Sequence, residues 1–229
     1  MSRISEIMQE TYALTRLDYL HCRSWTHGCS EFDVTTDLIE LTMRDVGGDE
    51  MNREQHWGAA IKDSFCTMFV VSLSDYTHMQ KKEHATAKFR HIRKMLWGYL
   101  TDEADPEIIL ILNKQDLFRE KLKDVPLHKG CKEFKNVAPQ AEGEKFEAYC
   151  KRCEEVIMKY FRTMPSSIKE CEKVRKREEA DPVYSVEKVR LCGEFMTQAT
   201  DEALFGEVKK KIFEICVACL QKNVNKCGI

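Results

Sequence analysis

Short apolar runs alternate with stretches of helical periodicity along most of the chain. Two runs, at 66–74 (CTMFVVSLS) and 106–114 (PEIILILNK), contain few polar residues, which is typical of strands buried on both faces. The segment 31–46 carries two alternating runs and predicts two strands with a turn near Thr36–Asp37. A further strand is predicted within 186–199.

Helical spacing marks several of the intervening segments. In the segment 201–224, apolar side chains recur every three or four residues, at Leu204, Val208, Ile212, Ile215 and Cys219. The segment 85–100 has the same spacing, whereas 2–22 and 142–161 are predicted helical from their composition. The segment 169–182 is rich in charge and lacks apolar periodicity, so we expect a solvated surface insertion there.

This order of elements predicts an α/β fold, with a mostly parallel sheet and helices on both of its faces. Ligands of such folds bind at the carboxyl ends of the strands. Polar segments follow three of the predicted strands, at 45–48, 113–116 and 197–200. We therefore expect a binding crevice where these three strand ends meet.

Composition excludes several classes of protein. The 229 residues suit one ordinary domain, and 36 basic against 38 acidic residues disfavour binding to nucleic acid through a basic surface. Neither a signal peptide, a membrane-length apolar run nor a lipidation motif is recognisable. The odd number of cysteines, 11, favours a reduced cytoplasmic setting.

The tetrapeptide NKQD (113–116) has the chemistry to recognise guanine. A carboxylate at Asp116 can accept hydrogen bonds from both the ring N–H and the exocyclic amine of guanine, a donor pair that adenine lacks. The stem of Lys114 can lie over the base, and Asn113 can tie neighbouring loops together.

Two other segments carry weaker signals. Backbone N–H groups of TQAT (197–200) could meet a base carbonyl oxygen, although Thr200 or Asp201 could instead cap the following helix. In RSWTHG (23–28), a threonine hydroxyl can bind Mg²⁺ and an arginine can neutralise a phosphoryl group.

Together these segments resemble the α subunit of a heterotrimeric G protein. The resemblance is carried, in the family's order, by TRLDYLHCRSWTHGCSE (15–31), DVGG (45–48), SLSDY (72–76), ILNKQDLF (111–118), TQATD (197–201) and the final NKCGI. It implies a Ras-like P-loop GTPase fold. Residues 1–22 would then be a remnant of the helical domain, and 23–229 a partial GTPase domain with an insertion within about 119–196.

The resemblance also implies roles for individual residues in binding GTP or GDP and Mg²⁺. It makes Arg23 the catalytic arginine, Thr26 a metal ligand and Asp45 a metal ligand through water. The nucleotide-binding set it implies is Arg23, Thr26, Asp45, Gly48, Asn113, Lys114, Asp116 and Ala199. The implied partners are a βγ dimer and a G-protein-coupled receptor, the latter through about 202–229. These partners would bring the chain to the cytoplasmic face of the plasma membrane.

The sequence departs from this family in two important respects. The 229 residues contain no GxxxxGK[ST] P-loop and no family-type first strand, which would lie between the strands placed at 38–45 and 66–74. Asp49 stands where the family has the glutamine that orients the attacking water. We therefore expect weak nucleotide binding and weak GTP hydrolysis. The alternative is a non-catalytic protein that binds βγ or receptor without GTP.

Cysteine pairs raise two further alternatives. A zinc site is conceivable at His21, Cys22, His27 and Cys29, although the family resemblance explains that segment without metal. The pairs CKRC (150–153) and CVAC (216–219) lie within predicted helices rather than at a helix N-terminus, so core packing is favoured over redox chemistry.

Overall fold

The computed structural model describes residues 7–9, 11–15, 18, 28–35, 39–47, 56–77, 84–101, 107–169, 172–180, 191–198 and 201–226. Its strands form two sheets. Strands β1 (Cys29–Thr35) and β2 (Glu40–Val46) form an antiparallel pair. Strands β3 (Thr67–Ser72), β4 (Ile108–Asn113) and β5 (Gly193–Met196) form a parallel sheet in the order β3–β4–β5. The positions of the predicted strands are therefore confirmed, whereas the predicted turn near Thr36–Asp37 lies outside the described residues. The helix predicted over 2–22 is wrong for residues 11–15, which are not helical.

Helices connect and cover these strands. They are α1 (Gly58–Lys62), α2 (His84–Leu100), α3 (Gln115–Asp124), α4 (Leu127–Gly130), α5 (Phe146–Arg162), α6 (Ser166–Lys169), α7 (Glu172–Ala180) and α8 (Glu202–Lys226), with 3₁₀ turns at Leu73–Thr77 and Lys132–Phe134. Among the described residues, no helix combines the length and apolar character needed to cross a membrane.

Strand β4 lies at the centre of the parallel sheet and is buried on both faces. One face, which includes Leu110, packs in a large core with α2 and α5. The other face presents Ile109 and Ile111 to Cys216 of α8 and to Leu41 of β2. An almost continuous apolar run is the sequence that such a strand requires.

Strand β3 does not match its prediction. Phe69 and Val71 are buried, but Met68 is 37% and Val70 59% exposed on the other face. Within the described part of the chain, β3 pairs with β4 alone, and β2 does not close onto its second edge. A missing first strand leaves this edge unpaired or lets β2 and β3 close onto each other, and the described residues show the unpaired edge.

Within the segment 169–182 the described side chains are mostly exposed, as predicted, but the segment is not irregular. Residues 172–180 form helix α7, whose Val174 is 3% exposed. The guanidinium of Arg177 donates a hydrogen bond to the carbonyl oxygen of Thr101 at 3.2 Å. The Val174 side chain and this hydrogen bond contribute to docking α7, and neither produces a periodic apolar pattern.

Candidate functional site

The carboxyl end of β4 leads into a tight turn that Asn113 stabilises. Lys114 adopts a left-handed backbone conformation, with φ of +63°, and is the only non-glycine residue at positive φ among the described residues. Its backbone N–H donates to Asn113 Oδ1 at 2.7 Å. Left-handed backbone costs an ordinary residue about 1 kcal/mol, and such conformations concentrate at functional sites.

Asn113 also joins this turn to the segment that follows β5. The hydroxyl of Thr197, a residue only 5% exposed, donates to Asn113 Oδ1 at 3.1 Å. Two backbone bonds complete the junction: Thr197 N–H donates to the Leu112 carbonyl at 2.9 Å, and Gln115 N–H donates to the Thr197 carbonyl at 3.2 Å. The structure thus brings Thr197, the first residue of the predicted segment 197–200, against the predicted segment 113–116.

We expect Asn113→Ala to destabilise the fold by about 1–3 kcal/mol, because the Thr197 hydroxyl and the Lys114 N–H both lose their acceptor. Urea denaturation followed by circular dichroism measures this change. Thr197→Val and the double variant complete a mutant cycle, in which we expect a coupling free energy of about 0.5 kcal/mol or more. Additive effects of the two substitutions would contradict the proposed junction.

Asp116 lies directly beyond this junction, in the first turn of α3. Its side chain is partly exposed, and a carboxylate is stabilised by the dipole of a helix at that position. Lys121 of the same helix donates from Nζ to the Ser74 carbonyl at 2.8 Å, which fixes α3 against the segment after β3. Helix α3, which Lys121 fixes in place, therefore positions Asp116 at the carboxyl end of the parallel sheet.

Asp45 lies on the other sheet. It is an exposed residue of β2 and pairs with Ser30 of β1. The expectation of three strand ends along one parallel sheet is therefore wrong for this strand, because β2 belongs to the antiparallel pair. Only the ends of β4 and β5 share the same sheet.

Trp57 closes the segment that begins after β2. Its indole Nε1–H donates to the carbonyl oxygen of Gly47 at 3.0 Å. Its ring packs edge-on against Phe69, with ring centroids 5.8 Å apart. The hydrogen bond to Gly47 fixes the distance between Gly47 and Trp57. The sequence did not predict a role for Trp57. The one feature that could have indicated such a role is the position of this tryptophan after a run of polar residues.

Several predicted site residues lie outside the described residues: Arg23, Thr26, Gly48, Asp49 and Ala199. The same holds for His21, Cys22 and His27 of the zinc alternative. Their predicted roles stay predictions.

The capping role proposed for Thr200 or Asp201 falls to Asp201. Its Oδ1 accepts a hydrogen bond from the Leu204 backbone N–H at 3.0 Å, directly before α8 begins at Glu202. This is the bond that an N-cap carboxylate makes.

The CKRC pair occupies the core, as predicted. Cys150 and Cys153 are 1% and 0% exposed within α5. Burial raises the pKa of Cys150 to about 11, so its thiol is protonated at neutral pH. A protonated, enclosed thiol is a poor nucleophile, which agrees with a packing role.

Comparison with known proteins decides the family. The family model described as the G-protein alpha subunit matches residues 1–216 of the chain. The chain belongs to the G-protein α-subunit family. The fold of this family is that of a Ras-like GTPase, in agreement with the parallel sheet and its covering helices.

Individual G-protein α subunits align with parts of the chain. The α-9 subunit of Dictyostelium discoideum is 32% identical over 130 residues, which cover 56% of this chain and 37% of that protein. The α-2 subunit of Schizosaccharomyces pombe is 34% identical over 147 residues, covering 62% and 39%. The α-6 subunit of Caenorhabditis elegans is 27% identical over 148 residues, covering 64% and 40%. The alignments thus span about two fifths of each relative.

These relatives carry names that describe guanine nucleotide-binding proteins. The turn at Asn113–Asp116 is the segment for which the sequence resemblance implied guanine recognition, and that role stays a prediction. The junction with Thr197 is the geometric feature that accompanies this turn in this chain.

Proposed function

We propose that this chain is a guanine nucleotide-binding α subunit whose base-recognition element is intact and whose phosphate-binding element is impaired. The observation that carries the proposal is the hydrogen-bonded junction between Asn113 and Thr197. It holds two strand ends together beside Asp116, where a planar base would be recognised.

The base would be recognised by this chain's own groups. The partly exposed Asp116 carboxylate has the two acceptor oxygens that the N–H pair of guanine needs. The exposed Lys114 can place its apolar stem along the base plane. The Ala199 N–H would meet the base carbonyl oxygen.

The phosphate and metal side is proposed from the family alone. Arg23, Thr26 and Gly48 would contact the phosphates or Mg²⁺. Asp45 is exposed and offers the hard oxygen atoms that Mg²⁺ prefers, so its chemistry fits a ligand that acts through water. When bound, the metal would neutralise charge on the phosphates.

Two sequence features support impairment. A P-loop surrounds phosphates with backbone N–H groups and a lysine, and the 229 residues contain no such motif. The carboxylate of Asp49, in place of the water-orienting glutamine, adds repulsion towards the γ-phosphate. We propose that GTP hydrolysis by this chain is weak or absent.

Titration with fluorescent GDP and GTP analogues in the presence of Mg²⁺ tests this proposal. We expect dissociation constants above the micromolar range and a preference for guanine over adenine nucleotides. Asp116→Ala should weaken guanine binding about 10-fold or more, because a charged hydrogen-bond acceptor is lost. Asp124→Ala removes an exposed carboxylate from the far end of the same helix and should leave binding unchanged.

Two results would contradict the proposal. A submicromolar dissociation constant for GTP would exclude impaired phosphate binding. Equal affinity for adenine and guanine nucleotides would exclude base recognition by Asp116.

We propose further that the chain transduces receptor signals with a βγ dimer at the cytoplasmic face of the plasma membrane, using α8 towards the receptor. The alternative function, a non-catalytic protein that binds βγ or receptor without GTP, is favoured by the same missing motif and by Asp49. Interferometry with immobilised βγ separates the two. If added GDP changes the affinity of the chain for βγ, the chain is a nucleotide-dependent subunit. If GDP leaves that affinity unchanged, the alternative is supported.

A further inference from the structure

Four thiols converge at the end of the sheet opposite the Asn113 junction. Cys66 directly precedes β3, Cys192 directly precedes β5, and Cys216 and Cys219 lie on α8. The sulfur atoms of Cys66, Cys192 and Cys219 all lie within 4.8 Å of one another. Cys216 packs in the same cluster as Cys66 and Cys192.

The backbone brings these groups together for physical reasons. The amino ends of parallel strands all lie at the same end of the sheet. Cys66 and Cys192, which directly precede β3 and β5, therefore lie near each other at that end. Gly193 allows α8 to approach, because a Cβ there would lie 2.6 Å from Ile215 Cδ1. Cys216 and Cys219 are three residues apart on α8 and therefore share one face.

We propose that Cys66, Cys192, Cys216 and Cys219 form a tetrahedral site for one Zn²⁺ ion. A Zn–S distance of about 2.3 Å places tetrahedral sulfur atoms about 3.8 Å apart. The sulfur atoms of Cys66, Cys192 and Cys219 therefore need only a small contraction, and Cys216 would move in to complete the site. The CVAC pair has the C-x₂-C spacing common in zinc sites.

The surroundings suit a closed structural site. Cys216 and Cys219 are 8% and 5% exposed, while Cys66 and Cys192 are partly exposed and leave a route for the ion. Apolar side chains of Phe65, Phe195, Ile212 and Phe213 pack in the same cluster. Four thiols lose four protons to solvent as the ion binds, and no electron is transferred, because zinc has no redox chemistry.

Nearby charge opposes this binding in part. The carboxylate of Glu107 lies close enough to Cys192 and Cys219 to repel their thiolates. Lys222 of α8 forms an ion pair with Glu107, which offsets that repulsion. The ion would link β3, β5 and α8, whereas a disulfide uses only two of the four sulfur atoms.

Metal analysis of the purified full chain tests the proposal. After zinc loading, reduction and desalting, we expect about one Zn²⁺ per chain by plasma mass spectrometry. With Co²⁺ alone as probe, we expect the visible bands of tetrahedral cobalt and thiolate-to-cobalt charge transfer. Chelation should lower the Tm of the wild-type chain, a readout that needs no variant.

Cysteine variants locate the site. Losing a residue that hydrogen-bonds to a metal ligand lowers metal affinity roughly 10–100-fold. Cys192→Ser and Cys219→Ser each remove a ligand itself, so each should weaken Zn²⁺ binding by more than that. Cys29→Ser removes an exposed thiol and Cys150→Ala one thiol of the other C-x₂-C pair, and both should retain the ion. A folded wild-type chain that binds no Zn²⁺, or binding unchanged in Cys192→Ser, would overturn the proposal. So would a metal-free chain whose mass shows a disulfide within the cluster.

Discussion

Replacing Arg119 by methionine is expected to destabilise the fold by about 3 kcal/mol, at the lower end of the cost of breaking a buried ion pair. Arg119 of α3 donates from Nε to Glu154 Oε1 at 2.6 Å and from Nη2 to Glu154 Oε2 at 3.1 Å. The Glu154 side chain is only 6% exposed, whereas that of Arg119 is 29% exposed. Methionine would preserve much of the packing but leave a carboxylate enclosed without its partner.

Urea denaturation of Arg119→Met measures this loss of stability. Two further variants test whether the loss comes from the unpaired carboxylate of Glu154. Glu147→Gln removes the second, 58% exposed carboxylate that Arg119 contacts, and should cost less than about 1 kcal/mol. Arg119→Met combined with Glu154→Leu removes both charges and should recover most of the loss, since apolar replacement of a buried pair is often neutral. If Arg119→Met costs no more than Glu147→Gln, the interpretation is wrong.

Local sequence patterns predicted the strands because β-branched and apolar residues concentrate in strands. They could not separate β3 from β4, whose apolar runs look alike. What covers Met68 and Val70 depends on which elements pack there, and α8 covers β4 rather than these side chains. Whether a strand face is exposed depends on tertiary packing, which a run of apolar residues does not predict.

The candidate site shows the same division. The role of Asn113 in tying loops together was predictable, because an amide after a strand has few other uses, and the bond from Thr197 confirms it. The hydrogen bond from Trp57 to Gly47 was not predictable, since it depends on the tertiary placement of two residues ten positions apart. The thiol cluster joins residues as far apart as Cys66 and Cys192, and only its CVAC pair leaves a local signal.

The second large effect concerns Phe118, the side chain that anchors the helix carrying Asp116. Phe118 is fully buried, and its ring meets that of Tyr76 edge-on at 5.2 Å between centroids. Tyr76 in turn donates from its hydroxyl to the Val125 carbonyl at 2.6 Å, beyond the other end of α3. We expect Phe118→Ala to destabilise the fold by about 3–5 kcal/mol, through lost burial and the cavity left behind.

Leu117 provides the matched control, because it is the preceding residue of the same helix and is 42% exposed. Leu117→Ala should change stability by less than about 1 kcal/mol in the same urea titration. Phe118 also donates its backbone N–H to the Lys114 carbonyl at 3.0 Å, so a loosened Phe118 loosens the turn that presents Asp116. Guanine preference should therefore fall in Phe118→Ala even where the chain is still folded, and persist in Leu117→Ala. Equal costs for the two variants would show that α3 is not anchored by its inward face, and that the position of Asp116 is set by the Asn113 junction instead.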